Sequence, residues 1–159
     1  MATFASAQYA LQKSDRANTS RNAPENITSG TVEFAVIPYT LAGTEAATDI
    51  INLCVLPAGV IPIPSLSHVV CATDPGTAFT VKIGTAGDDD GWAAAVATTV
   101  AGKVECCAAS ATQPAWLTQT PLVADTGSGN AIVYATVSTA TAITATTAIQ
   151  FVLAFKRGR

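Results

Sequence analysis

Charge, aromatic residues and histidine are all scarce in this chain: of 159 residues, 12% are charged, 6% are aromatic and one, His68, is a histidine. A lone histidine with no Ser or Cys beside a second base gives no acid–base pair and no nucleophilic triad, so no enzyme is expected. No Gly-rich phosphate loop occurs either, and no cofactor is expected. Long apolar runs are also missing. Mean hydropathy is +0.37, yet no stretch of about 18 consecutive apolar residues could cross a bilayer as a helix. The most apolar segment, 50–64, is broken by Asn52, Pro57, Gly59, Pro62 and Pro64, and interior prolines remove helical hydrogen bonds. No membrane partner is expected.

The opening stretch, MATFASAQYALQKSDR, lacks the basic region followed by an apolar core that marks a secretory signal. The expectation is therefore a product that stays in a reducing cytoplasm with Cys54, Cys71, Cys106 and Cys107 as buried free thiols. No CxxC spacing is present, and a zinc site would have to be assembled from scattered ligands. Asp88-Asp89-Asp90, between Gly87 and Gly91, could supply carboxylate oxygens to a hard cation. Consecutive side chains are expected to diverge, however, and Asp and Gly together read as a solvated turn. No metal is expected.

What the chain has in abundance is short apolar segments rich in Val, Ile, Thr and Phe, bounded by turn residues. About eight such segments follow one another from residue 31 onward by that criterion. In TVEFAVIPYT, Val32, Phe34 and Val36 share one face and Glu33 the other, and Pro38 ends the strand or marks a sheet edge. In TDIINLCVL both alternating sets are largely apolar, so this strand is either central or covered by another subunit; its set Ile51, Leu53 and Val55 is the expected oligomer interface. SLSHVVCA closes at Asp74-Pro75-Gly76, and AFTVKIG places Phe79, Val81 and Ile83 inward before a turn spanning Thr85 to Gly91. WAAAVATTV and the segment around Val104 are weaker strands, while PAWLTQTPLV has prolines at both margins and suits an edge. After Gly127-Ser128-Gly129-Asn130 come AIVYATVS and TAIQFVLAF, the latter with Ile149, Phe151, Leu153 and Phe155 on one face. Many short strands without a crossover helix predict an all-β fold, an antiparallel β-sandwich of jelly-roll type.

Residues 1–30 differ from the rest. They are polar, alternate in charge and lack a sustained apolar period, so they read as an extended N-terminal arm with Phe4, Tyr9 and Leu11 as possible anchors. The sandwich is assigned to 31–155 and a basic tail to 156–159. Between residues 31 and 155 nine acids face two bases, a balance of −7, whereas the arm carries +1 and the tail +3. An acidic body repels phosphates, so nucleic acid is not an expected partner. Basic termini on an acidic body suit docking to another acidic surface. Thr139, Thr141, Thr144, Thr146 and Thr147 do not keep one parity, so they do not form a single-faced threonine array.

The segment FTVKIGTAGDDDGW, together with VLPAGVIPIPSLSHVVC, resembles structural proteins of tailed bacteriophages, among them capsid decoration, or cement, proteins. The resemblance covers about a third of the chain, as a strand–turn pattern of moderate specificity. It implies a jelly-roll-like sandwich that sits as a homotrimer on the outer surface of the virion and reinforces it by bridging major capsid proteins. Lys13, Arg16, Arg21, Lys156, Arg157 and Arg159 are the basic residues expected to contact the capsid. The alternative from the residues is an adhesion module, a phage fibre or carbohydrate-binding domain using Trp92 or Trp116 as a platform.

Overall fold

The computed structural model describes residues 32–98, 100–107, 121–125, 127 and 129–157. Among them are nine strands: β1 (Val32–Thr40), β2 (Ile50–Pro57), β3 (Val60–Pro62), β4 (His68–Cys71), β5 (Gly76–Thr85), β6 (Asp88–Ala97), β7 (Gly102–Glu105), β8 (Asn130–Ile143) and β9 (Ala148–Arg157). A single 3-10 turn, Pro64–Leu66, separates β3 from β4. No described helix is long and apolar enough to cross a membrane.

The strands form two antiparallel sheets, one ordered β1-β9-β4-β7 with β3 also on β9, the other β2-β8-β5-β6. The pairings nest. The first strand pairs with the last (β1·β9), the second with the next to last (β2·β8), then β4 with β7 and β5 with β6. This is one long antiparallel ribbon, folded at the β5–β6 hairpin and rolled so that β9 also meets β4 and β8 also meets β5. That connectivity is the jelly roll.

Alternation builds the core where the sequence pattern is clean. Phe79, Val81 and Ile83 of β5 are fully buried, and Ile149, Phe151, Leu153 and Phe155 of β9 are buried on one face. Both sets join a single apolar cluster with Val133, Ala135 and Val137 of β8. Trp92 of β6 lies in the same cluster, 1% exposed, its indole Nε1 donating to the Ala154 carbonyl at 3.2 Å.

Several expectations are corrected. In β1 the alternation puts Phe34 and Val36 opposite Glu33, and their face is the outer one: Ala35, Ile37 and Tyr39 pack on the core, while Phe34 and Val36 are 52% and 55% exposed. Glu33 lies near the end of the strand, where the Arg157 guanidinium reaches its carboxylate, so its charge does not force that face outward. Pro38 does mark an edge, since among the described residues β1 pairs only with β9. Of the two alternatives for β2, the central position drops out, since among the described residues it ends its sheet. The turn expected from Thr85 to Gly91 shrinks, because Thr85 already pairs with Asp88 and the three aspartates open β6. Glycine at 84 permits this closeness: a Cβ there would overlap the Asp88 carbonyl. Lys156 and Arg157 belong to β9, so the strand runs past the boundary expected at 155. The parity break among the threonines falls at the β8–β9 connection, where Thr146 has φ 67° and Thr147 is buried. The expected edge strand PAWLTQTPLV lies largely outside the described residues, as does the whole of 1–30.

Candidate interaction surface

On the outer face of the five-stranded sheet, cross-strand register sets neighbours side by side. Val36 lies opposite Val152, which lies opposite His68, which lies opposite Glu105. In the next row Pro38 meets Gln150, then Val70, then Lys103. The face therefore grades from apolar at β1, with Phe34 and Val36, to charged at β7. There Lys103 Nζ lies 2.7 Å from Glu105 Oε1.

The outer face of the other sheet is apolar at its β2 edge. A β-bulge between Asn52 and Cys54 adds one residue and switches the parity of the strand. Ile51 and Leu56 point into the core, while Ile50 (59% exposed) and Val55 (57%) face outward. Ile51, Leu53 and Val55 thus do not share a face: Ile51 is core, Leu53 packs partly on it, and Val55 stands outside. Ile50 was missed because no Gly or Pro announces the bulge.

Of the six basic residues expected to dock, Lys156 and Arg157 are placed and Lys13, Arg16, Arg21 and Arg159 lie outside the described residues. Arg157 grips Glu33 with both arms, Nε to Oε1 at 2.9 Å and Nη2 to Oε2 at 3.2 Å. This bidentate pair fastens the end of β9 to the start of β1.

Asp88, Asp89 and Asp90 converge, their carboxylates lying within 4.8 Å of one another, where divergence was expected. The cause is local: register shifts on either side of Ile83 break simple alternation in the β5–β6 pair. A hydrogen bond with Asp88, then partial burial and the neighbouring acid charges, raise the Asp90 carboxyl above its ordinary value. Lys82 Nζ, 3.3 Å from Asp89 Oδ2, offsets part of that crowding. All three carboxylates are exposed, and calcium takes about six to eight oxygens, so the cluster is a charged hairpin tip.

Cys71 and Cys106 are buried, and Cys54 and Cys107 only partly so. Burial, then the nearby Glu105 and Cys107, push the Cys106 thiol up to about 12. Burial likewise raises Cys54 and Cys71. Thiols held neutral are poor nucleophiles and poor metal ligands. Trp92, buried and hydrogen-bonded, offers no platform to a sugar, which removes it from the adhesion alternative. Trp116 lies outside the described residues.

No family model and no curated protein matches the chain. Among solved structures, a chain in the capsid of Ralstonia phage GP4 is similar with a TM-score of 0.53 and 22% identity, over 82% of this chain and 86% of that one. A chain in the capsid asymmetric unit of cyanophage Pam1 is similar with a TM-score of 0.50 and 18% identity, over 81% of this chain and 86% of that one. At such identities the shared property is the fold, a jelly-roll sandwich present in two phage capsids.

Proposed function

We propose that this chain is a non-enzymatic structural protein of a tailed-phage virion, a decoration protein that stabilises the capsid by bridging major capsid proteins. The observation that carries the proposal is the likeness, over about four-fifths of the chain, to chains from two phage capsids. The sequence resemblance at FTVKIGTAGDDDGW points the same way. Exposed apolar residues on two edge strands, Phe34 and Val36 on β1 and Ile50 and Val55 on β2, supply surface that an assembled protein would bury.

In this proposal the sandwich sits on the outer surface of the shell as a homotrimer. The oligomer contact proposed at Ile51, Leu53 and Val55 narrows to Val55 with Ile50, because Ile51 already serves the core. Residues 1–30 are the arm that lies across the capsid protein, with Lys13, Arg16 and Arg21 as its polar contacts and Lys156 and Arg159 beside the C-terminus adding to them. Arg157 would take part by exchanging its Glu33 partner on docking. An extended arm loses conformational freedom when it docks, so several contacts must act together.

Purified shells lacking the protein provide the test. The full chain is expected to have the mass of a trimer by light scattering, to pellet with shells and to raise their melting temperature. Removing residues 1–30 is expected to leave the sandwich folded and to lower shell occupancy by about tenfold or more. Occupancy unchanged by the deletion would remove the arm from the proposal, and a full chain that stays in the supernatant would remove the capsid itself.

A further inference from the structure

Among the described residues the two sheets end in β1, β7, β2 and β6, and three of these edges carry features that discourage a further strand. β2 has the bulge at Leu53 and ends in Pro57. β6 has two register shifts and begins with three aspartates. β7 is four residues long and carries Lys103 and Glu105. Sheets avoid edge-to-edge pairing by such means. β1 is different: its nine residues pair with β9 in unbroken register, and its one charge, Glu33, is held by Arg157. The direction of its backbone groups is fixed by its neighbours. Just past the strand, Leu41 N–H donates to the Thr147 carbonyl, so the odd-numbered residues of β1 face β9. Ala154, the register partner of Phe34, directs its N–H to Ser67 and its carbonyl to Ile63 on the far side of β9. The backbone groups of Phe34 and Val36 therefore point to the outer edge, and Pro38, of the same parity, is where that edge lacks a donor.

We propose that β1 pairs edge to edge with β1 of a second copy, antiparallel about a twofold axis, so that the sheets of two molecules become one. This goes beyond the capsid reading and rests neither on it nor on the contact at Ile50 and Val55. The occupant follows from elimination and from fit. The edges of β2, β6 and β7 are guarded, so among these four strands β1 itself is the one with a matching edge to offer. Outward-facing residues must pair with outward-facing residues, and Pro38 then selects the register. With Phe34 opposite the second copy's Val36, Pro38 falls at the last pair, opposite Val32, and its missing N–H costs a single terminal bond. Centring the axis on Val36 instead would set Pro38 opposite Phe34, inside the ladder, and the opposite shift would shorten the ladder. In the selected register Ala35 meets its own copy on the axis. Phe34 and Val36, both exposed on the outer face, form two symmetrical pairs of an aromatic with a β-branched side chain, which favour strand pairing. The two Glu33 carboxylates stand about 13 Å apart along the strands, so like charges do not oppose one another. One strand pair makes a small interface of the weak, transient class, and it fills where copies are crowded together.

Amide exchange on the full-length protein without shells, compared at low and high protein concentration, tests the pairing apart from the capsid reading. The Phe34 and Val36 N–H groups are expected to exchange about tenfold or more slowly when the protein is concentrated. Val36→Pro removes an outward donor and leaves the bonds to β9 in place, so it should abolish that protection with the melting temperature little changed. A second variant reads the register: Ala35→Cys should link two copies through a disulfide when glutathione disulfide is the oxidant. It should do so faster than the parent, which carries the same four native cysteines, and faster than Thr40→Cys, which lies beyond the ladder. Fast exchange at every concentration overturns the proposal. Protection that does not change with concentration also overturns it, since the edge would then be covered within one molecule. Concentration-dependent protection that survives Val36→Pro, or linking no faster at position 35 than at 40, would place the contact elsewhere and overturn it as well.

Discussion

Three hydrogen bonds meet at Ala154. Its carbonyl accepts from Ile63 N–H at 2.9 Å and from Trp92 Nε1 at 3.2 Å, and its N–H donates to Ser67 Oγ at 2.9 Å. The arrangement follows from a gap, since β4 pairs with β9 up to Val152 and β3 resumes only at Phe155. The 3-10 turn between them brings a side chain instead of a strand, and Ser67, itself fully buried, fills the vacancy while donating to the Ile63 carbonyl at 2.9 Å. Ser67→Ala should leave a buried N–H unpaired and lower unfolding free energy by about 1–3 kcal/mol in denaturant titrations. A loss within error would mean that water or a shifted backbone takes the place of the hydroxyl. Nothing in SLSHVV distinguishes this serine from an ordinary strand residue, because its partners lie four and 87 positions away.

At the scale of strands, the sequence pattern succeeded where alternation is strict and failed where one residue is inserted. Phe79, Val81 and Ile83, and the odd-numbered set from Ile149 to Phe155, fell on the expected faces because polar or small residues separate them. β2 is apolar in both sets, so the bulge at Leu53 cost no polar burial and left no trace in the sequence. β1 has the same ambiguity: its alternation left open which face is buried, because the partner of Glu33 is 124 residues away. The exposed apolar residues proposed for assembly were therefore only partly legible, whereas the all-β class and the position of most strands along the chain could be read directly.

The β1–β2 connection yields a pH test at this scale. Glu45 accepts from the backbone N–H groups of Ala42 at 2.6 Å and Gly43 at 2.9 Å and from the Tyr39 hydroxyl at 3.0 Å. Partial burial pushes its carboxyl upward, but the hydrogen bonds from Ala42, from its own backbone, from Tyr39 and from Gly43 outweigh it and leave the pKa below the ordinary value. A carboxylate whose folded pKa is depressed stabilises fully above its unfolded value and loses that contribution as pH falls through the folded one. Glu45→Gln should therefore be less stable than the parent at neutral pH, with the gap closing in acid below the usual carboxylate range. A gap independent of pH would assign the effect to the turn's shape and not to its charge.

For the whole molecule the governing facts are the nested strand pairing and the distribution of charge. From Val32 to Arg157 nine acids outnumber four bases, while residues 1–30 carry three bases against two acids. If the basic residues guide docking, raising salt from about 0.05 to 0.5 M should weaken shell association several-fold in co-sedimentation, because exposed charges are screened over a few ångströms at the upper end. Association indifferent to salt would assign the contact to Phe34, Val36, Ile50 and Val55 instead. The sequence could not set these two contributions against each other, since the exposure of the four apolar residues depends on a bulge and on the choice of face in β1.

Nesting has a consequence for engineering. Because Val32 pairs with Lys156, the chain enters and leaves the sandwich at adjacent points on neighbouring strands. A peptide or protein grafted ahead of β1 and another grafted after β9 would emerge side by side, held together at their roots by the Glu33–Arg157 clamp. Such a domain could present two halves of a split reporter or a two-part epitope from a single copy, without a linker spanning the fold.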